Sequence, residues 1–300
     1  MALTTNELFS RIKPSQIREF DELFRSVEGC IPMTIGEPDF DMPENVKRAA
    51  IKAIEDNASH YAHTSGEIGV RKAVSEFLEK QYNLHYDPET EIVMTVGATE
   101  GLFAAAFGLL NPGDQVIIPS PYFPLYSYAV ELNRGECILV DTSDTGFLMT
   151  PELLHKTMAE NKNVKALFLN YPSNPTGATY TKDELIALAD AIKQYDIFVL
   201  SDEIYSEITY GEKHTSIATL LRDRTILFQG ASKAFAMTGW RVGVLAADAK
   251  WMKTLFLAHQ QLVTTGVTVS NRAAEEAFRN SAPDVEKMRS EYEKRKNILV

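Results

Sequence analysis

Between about residue 90 and residue 245 the chain alternates short apolar runs with segments of helical spacing. The runs lie at 91–95 (EIVMT), 115–118 (QVII), 136–140 (ECILV), 164–169 (VKALFL), 197–200 (IFVL), 225–228 (TILF) and 241–246. Each has the length of a strand. Nearly all are apolar at consecutive positions, as strands covered by helices on both faces must be. Between them, apolar residues recur every three or four positions. Behind the capping box Thr181-Lys-Asp-Glu184, residues Leu185, Leu188, Ala189 and Ile192 share one helix face. Another helix is expected over 100–110, stopped by Pro112-Gly113-Asp114. The pattern predicts an α/β architecture with crossover helices.

The ends read differently. Residues 1–42 are irregular apart from a helix-like stretch at 15–27. Residues 248–300 look all-helical and become strongly charged after Asp284. The pattern stops inside a helix at Val300 with no Gly or Asn to end it, which reads as a truncation point. The chain has 300 residues, 45% hydrophobic and 24% charged, with a formal net charge of −11. That length fits one large domain or two modest ones. It buries enough surface to need no disulfide or metal staple. The two cysteines, Cys30 and Cys137, make no disulfide framework or zinc site and fit a reducing cytoplasm. The N-terminus has no signal-peptide core, and the apolar stretch at 101–110 is far too short to span a membrane. An acidic chain without a basic stripe is a poor nucleic-acid binder.

Four constellations bear chemistry, each with a plainer alternative. Gly97-Ala98-Thr99-Glu100 follows a strand and opens a helix, where free N–H groups favour an anion; an ordinary turn with Thr99 as N-cap fits equally. Asp202 follows an apolar strand, at the carboxyl edge where open α/β sheets bind ligands; the alternative is an exposed loop acid beside Glu203. In Ser232-Lys-Ala-Phe-Ala-Met-Thr-Gly-Trp-Arg241, Lys233 has small and apolar neighbours that favour a nucleophilic amine; most lysines are simply solvated. Arg241 suits a phosphate held in two-pronged fashion, or a surface acid. Asn170-Tyr-Pro-Ser-Asn-Pro-Thr-Gly177 is a stiff turn that aims Asn174 at a ligand, or only a turn. Together, an anion cradle, a carbonyl-accepting lysine and an acid at the sheet edge match pyridoxal phosphate.

The motifs GEPDF at 36–40, VGATEGL at 96–102, SPYFPLY at 120–126, NYPSNPTG at 170–177, SDEIY at 201–205 and SKAFAMTGWRVG at 232–243 make the resemblance specific. From about residue 36 to 274 the chain resembles the class I/II, fold-type-I pyridoxal-phosphate aminotransferases, most closely bacterial aromatic, aspartate and N-acetyl-diaminopimelate enzymes. The resemblance implies a mostly parallel seven-stranded sheet between helices plus a smaller α/β domain, here incomplete. Residues 1–42 would belong to the small domain, 43–275 would form the large cofactor-binding domain, and 276–300 would begin the small domain's C-terminal part.

The implied activity moves an amino group between an L-amino acid and a 2-oxo acid through a Schiff base on Lys233. Asp202 would keep the ring nitrogen protonated, and Tyr205 and Asn174 would bond the ring's phenolic oxygen. Phe123, in preference to Tyr122, would stack on the ring. Ala98, Thr99, Ser232 and Arg241 would hold the phosphate. In a homodimer Tyr61 would reach the neighbouring subunit's phosphate. Gly36 and Asn174 would face the substrate. The family often has Ser or Thr where Gly230 stands and proline where His63 stands, so one phosphate hydroxyl is missing, and His63 is either a surface residue or part of the substrate entrance. The family's arginine for the substrate α-carboxylate lies beyond residue 300. Two other outcomes fit the same cradle: a C–S lyase, and a non-catalytic regulatory domain. Residues 1–35 are too short for the DNA-binding segment such a regulator carries, and the charge of the chain is wrong for one.

Overall fold

The structure is a computed structural model that describes residues 3–10, 12 and 14–299. Two compact units divide the chain, one up to Asp39 and one from Phe40. In the first, α1 (Gln16–Arg25) carries the buried Asp21. Its carboxylate accepts hydrogen bonds from Arg25 Nε and Thr34 Oγ1, both at 2.7 Å.

The second unit opens with α2 (Glu44–Glu55) and α3 (Ile68–Tyr82), followed by β1 (Ile92–Val96), α4 (Gly97–Leu109), β2 (Gln115–Ser120), α5 (Leu125–Leu132) and β3 (Glu136–Asp141). Then come α6 (Pro151–Glu160), β4 (Val164–Asn170), α7 (Lys182–Ile192), β5 (Phe198–Asp202), β6 (Thr225–Gly230), α8 (Ala231–Ala234) and β7 (Val242–Ala246). Three helices end the unit, α9 (Ala249–Val263), α10 (Thr268–Asn280) and α11 (Ala282–Leu299). The strands form one sheet in the order β1-β7-β6-β5-β4-β2-β3. Only β7 runs against its neighbours; the β2–β3, β2–β4, β4–β5 and β5–β6 pairs are parallel.

The continuous apolar runs have the expected cause. Along β4, Ala166 and Phe168 pack with α4, α5 and α9, while Leu167 and Leu169 pack with α6 and α7. At the β1–β7 side, α2, α3 and α10 cover the second face. The edge strand β3 is the exception, with Leu139 exposed. The capping box at Thr181 forms as expected, with Thr181 Oγ1 accepting from Glu184 N.

Two boundaries differ from the sequence reading. Helix α4 starts at Gly97 rather than at 100, so Thr99 lies in its first turn and is not the N-cap; Val96 is. The reason is tertiary: Gly97 N donates to Arg241 O at 3.0 Å, which seats the helix start against the strand beside it. Strands β4, β5 and β6 also run past their apolar runs, to Asn170, Asp202 and Gly230. Hydrophobicity does not reveal these last positions because they are the polar edge of the sheet. Register then sets Asn170 beside Asp202, Asp202 beside Phe228, and Gly230 beside Gly243.

Candidate active site

Asp202 ends β5 and is 5% exposed. Its carboxylate accepts from Tyr126 Oη of α5 at 2.8 Å and from Ile204 N at 3.2 Å. Burial pushes this carboxyl up to about 6 and outweighs the opposing pull of those two donors and of the Lys233 charge. Asn170 ties the neighbouring turn to the same strand end: its Nδ2 donates to Asp202 O at 2.9 Å, and its Oδ1 accepts from Asn174 N at 2.7 Å. Asn174 is thereby held where its side chain hydrogen-bonds Tyr205. Burial raises the Tyr205 phenol to about 12, helped by the Asp202 charge, so it stays a protonated donor near neutral pH. Lys233, half-buried on α8, has its Nζ 5.7 Å from the Tyr205 ring centre.

The second part of the site lies where β7 meets α4. Arg241 leaves the turn before β7 with a positive φ of 53°, and its Nη1 donates to Thr238 O at 2.9 Å. Its Nη2 lies against Gly97, where a Cβ would overlap it. A Cβ on Gly243 would likewise strike the Gly97 and Ala98 backbone. These two glycines therefore bring an arginine onto the first turn of α4, which has no side-chain cap at Val96. First-turn amides, an arginine and the buried Ser232 next to Lys233 make a donor set suited to a phosphate dianion. The amine, the buried carboxyl and this cradle together fit pyridoxal phosphate, whose aldehyde, ring nitrogen and phosphate need those three partners.

The remaining candidates divide. Phe123 packs edge-on against Tyr126, with ring centres 5.8 Å apart. Tyr122, Tyr126, Asn170 and Asn174 line one small cavity. Ala98 is half-buried and Thr99 exposed in the first turn of α4. Tyr61 is 89% exposed and stands outside this group. His63 is exposed, and its Nδ1 accepts from Ser65 N at 3.2 Å within its own turn. Gly36 belongs to the unit that ends at Asp39.

Sequence reasoning missed several members. Tyr126 was legible only as an aromatic of unassigned role. Glu203 is buried, turned away from Asp202, and bonded to Ser201 Oγ at 2.7 Å, Ser216 Oγ at 2.8 Å, Tyr171 Oη at 3.2 Å and His214 Nε2 at 2.8 Å. It anchors the turn that carries Tyr205. The signal was an acid directly after Asp202, on the opposite parity of the strand. Among the described residues, no cluster of His, Cys, Asp or Glu is placed to hold a metal ion. No described helix is long and apolar enough to cross a membrane.

Comparison with known proteins places the chain in a family. The family profile described as aminotransferase class I and II matches residues 28–300. A probable N-acetyl-LL-diaminopimelate aminotransferase of Bacillus subtilis is 43% identical over 284 residues, covering 95% of this chain and 72% of that protein. Aromatic-amino-acid aminotransferase 2 of Thermococcus litoralis is 38% identical over 304 residues, covering 99% and 77%. The solved aspartate aminotransferase from Thermus thermophilus with maleate superposes with a TM-score of 0.94 at 35% identity, covering 99% of this chain and 79% of that one.

Proposed function

The chain belongs to the class I and II aminotransferases, and from that membership we propose how its residues divide the work. The reaction is pyridoxal-phosphate-dependent transfer of an amino group. The donor is an L-amino acid and the acceptor a 2-oxo acid. Bound pyridoxal phosphate supplies an aldehyde for an amine to join and a ring that withdraws electrons from the carbon beside it.

Lys233 Nζ would be the amine that holds the aldehyde carbon, and its free form would be the base placed to take the substrate Cα proton. Asp202 holds a proton on the ring nitrogen; the Tyr126 hydroxyl fixes the orientation of its carboxylate. Tyr205 and Asn174 donate to the phenolic oxygen. Phe123, in preference to Tyr122, covers the ring face. Ala98 and Thr99 amides, the Thr99 and Ser232 hydroxyls and the Arg241 guanidinium hold the phosphate. The large cofactor-binding domain spans 43–275. The enzyme acts as a homodimer in which Tyr61 serves the neighbouring site. The free thiols Cys30 and Cys137 support a reducing compartment, the cytoplasm.

The observation that carries this reading is the buried Asp202 carboxyl at the carboxyl edge of the sheet, with Lys233 Nζ 5.7 Å from the ring centre of Tyr205 on the turn that follows. The test is an absorbance titration of the cofactor-loaded protein with glutamate and then 2-oxoglutarate. The cofactor band should disappear and return. Lys233→Ala should bind cofactor and show no such cycle; normal turnover by Lys233→Ala overturns the assignment.

A further inference from the structure

One buried titratable cluster takes no part in the roles above. His259 of α9 is fully buried. Its Nε2 lies 3.0 Å from Thr64 O, and its Nδ1 lies 3.0 and 3.1 Å from the two carboxylate oxygens of Glu100 on α4. The Glu100 side chain is itself only 10% exposed. One of its oxygens also accepts from Val96 N at 3.2 Å, so it folds back onto the start of its own helix. This is the helix end assigned to the cofactor phosphate.

A carboxylate there does two opposed things. It satisfies Val96 N at a helix start that has no side-chain cap. It also sets a negative charge beside the place where a dianion must bind. The hydrogen-bond geometry resolves the conflict. A carbonyl oxygen only accepts, so His259 Nε2 carries a hydrogen and donates it to Thr64 O. Nδ1 faces a carboxylate, and the arrangement that satisfies both contacts places a second proton between ring and acid. Whichever partner holds that proton, the pair has no net charge.

We propose that His259 is a positioning residue that neutralises Glu100, so that Glu100 secures the start of α4 without repelling the cofactor phosphate. This rests on the phosphate assignment above. A role confined to α4–α9 packing makes a different prediction, because packing defects are not repaired by removing a charge.

The readout is the affinity of the full chain for pyridoxal phosphate divided by its affinity for pyridoxal, both by equilibrium dialysis. That ratio isolates the phosphate's share of binding. His259→Gln keeps a donor for Thr64 O but strips the compensating proton, and should lower the ratio about tenfold through repulsion between the bare carboxylate and the phosphate. The double variant His259→Gln with Glu100→Gln should bring the ratio back to the parent's. An unchanged ratio in His259→Gln, or no recovery in the double variant, overturns the proposal. If circular dichroism shows His259→Gln unfolded, Glu100→Gln alone decides: its ratio should equal or exceed the parent's, and a fall overturns the proposal. Arg241→Ala separates the two levels. If it leaves the ratio intact, the phosphate assignment itself fails; if it lowers the ratio while His259→Gln does not, only the present inference fails.

Discussion

A carboxyl held out of water beside a phenol has two ways to lower its energy: keep its proton, or meet a cation. Without cofactor, burial pushes Asp202 up to about 6 from an ordinary 3.8, so it keeps its proton in mildly acidic solution and releases it towards neutrality. The folded chain therefore binds this proton more tightly than the unfolded chain does. Its contribution to stability is complete below about pH 4 and is lost as pH rises through about 6, amounting to about 3 kcal/mol. The expected outcome is that, without cofactor, the unfolding free energy of Asp202→Asn gains on the parent's by about that amount between about pH 4 and pH 8 in urea titrations. With cofactor bound, a protonated ring nitrogen supplies the cation, and the gain should vanish or reverse. An equal pH slope for both cofactor-free proteins would mean that Asp202 is not buried as described. At this scale the sequence was legible in part. Asp202, Lys233 and Arg241 stand out as polar residues against apolar runs. Tyr126, 76 residues from Asp202, and His259, 159 from Glu100, do not, because their roles come from contacts that only the closed sheet creates.

Elements show the same division. Six of the seven strands were legible because burial on both faces leaves an unbroken apolar run; the edge strand β3 carries such a run although Leu139 is exposed. The start of α4 was not, because Gly97 is a poor helix former and its place is decided by packing against β7. Gly97 has a φ of 73°, a conformation that costs other residues energy, and its missing side chain is the space Arg241 occupies. Gly97→Ala should therefore displace the arginine as well as strain the backbone, weakening pyridoxal phosphate binding about tenfold or more through the lost charge-assisted contact. Thr181→Ala provides the contrast. It removes the Oγ1 that caps α7 and should cost about 1 kcal/mol of stability. Its kcat and cofactor affinity should match the parent's, since no residue assigned to the site lies on α7. Dialysis and thermal unfolding on the two variants check both halves. Gly97→Ala binding cofactor like the parent would remove the case for Arg241 at that helix end.

For the molecule as a whole, the exposed Tyr61 is the residue whose placement asks for a second copy of the chain. Its segment is held firmly: His60 O accepts from Thr268 Oγ1 at 2.8 Å, His63 O from Thr265 Oγ1 at 3.2 Å, Ser65 O from Met94 N at 2.9 Å and Gly66 O from Arg71 Nε at 3.1 Å. A segment fixed so thoroughly from within would lose little entropy on docking to the partner proposed above. In a two-fold dimer each Tyr61 would complete the other subunit's site, because the same patch serves both sides. Tyr61→Phe should then weaken cofactor binding about tenfold through one lost charged hydrogen bond, and Lys233→Ala should abolish turnover. Unfolding and refolding an equal mixture of the two variants gives hybrids as about half of all dimers. Each hybrid has one site with both defects and one with neither, if Tyr61 acts across the interface. Activity at limiting cofactor should then rise to about a quarter of the parent's. If Tyr61 serves its own subunit, every site keeps one defect and mixing adds nothing. A mixture no more active than the average of its two components would sink the cross-subunit role.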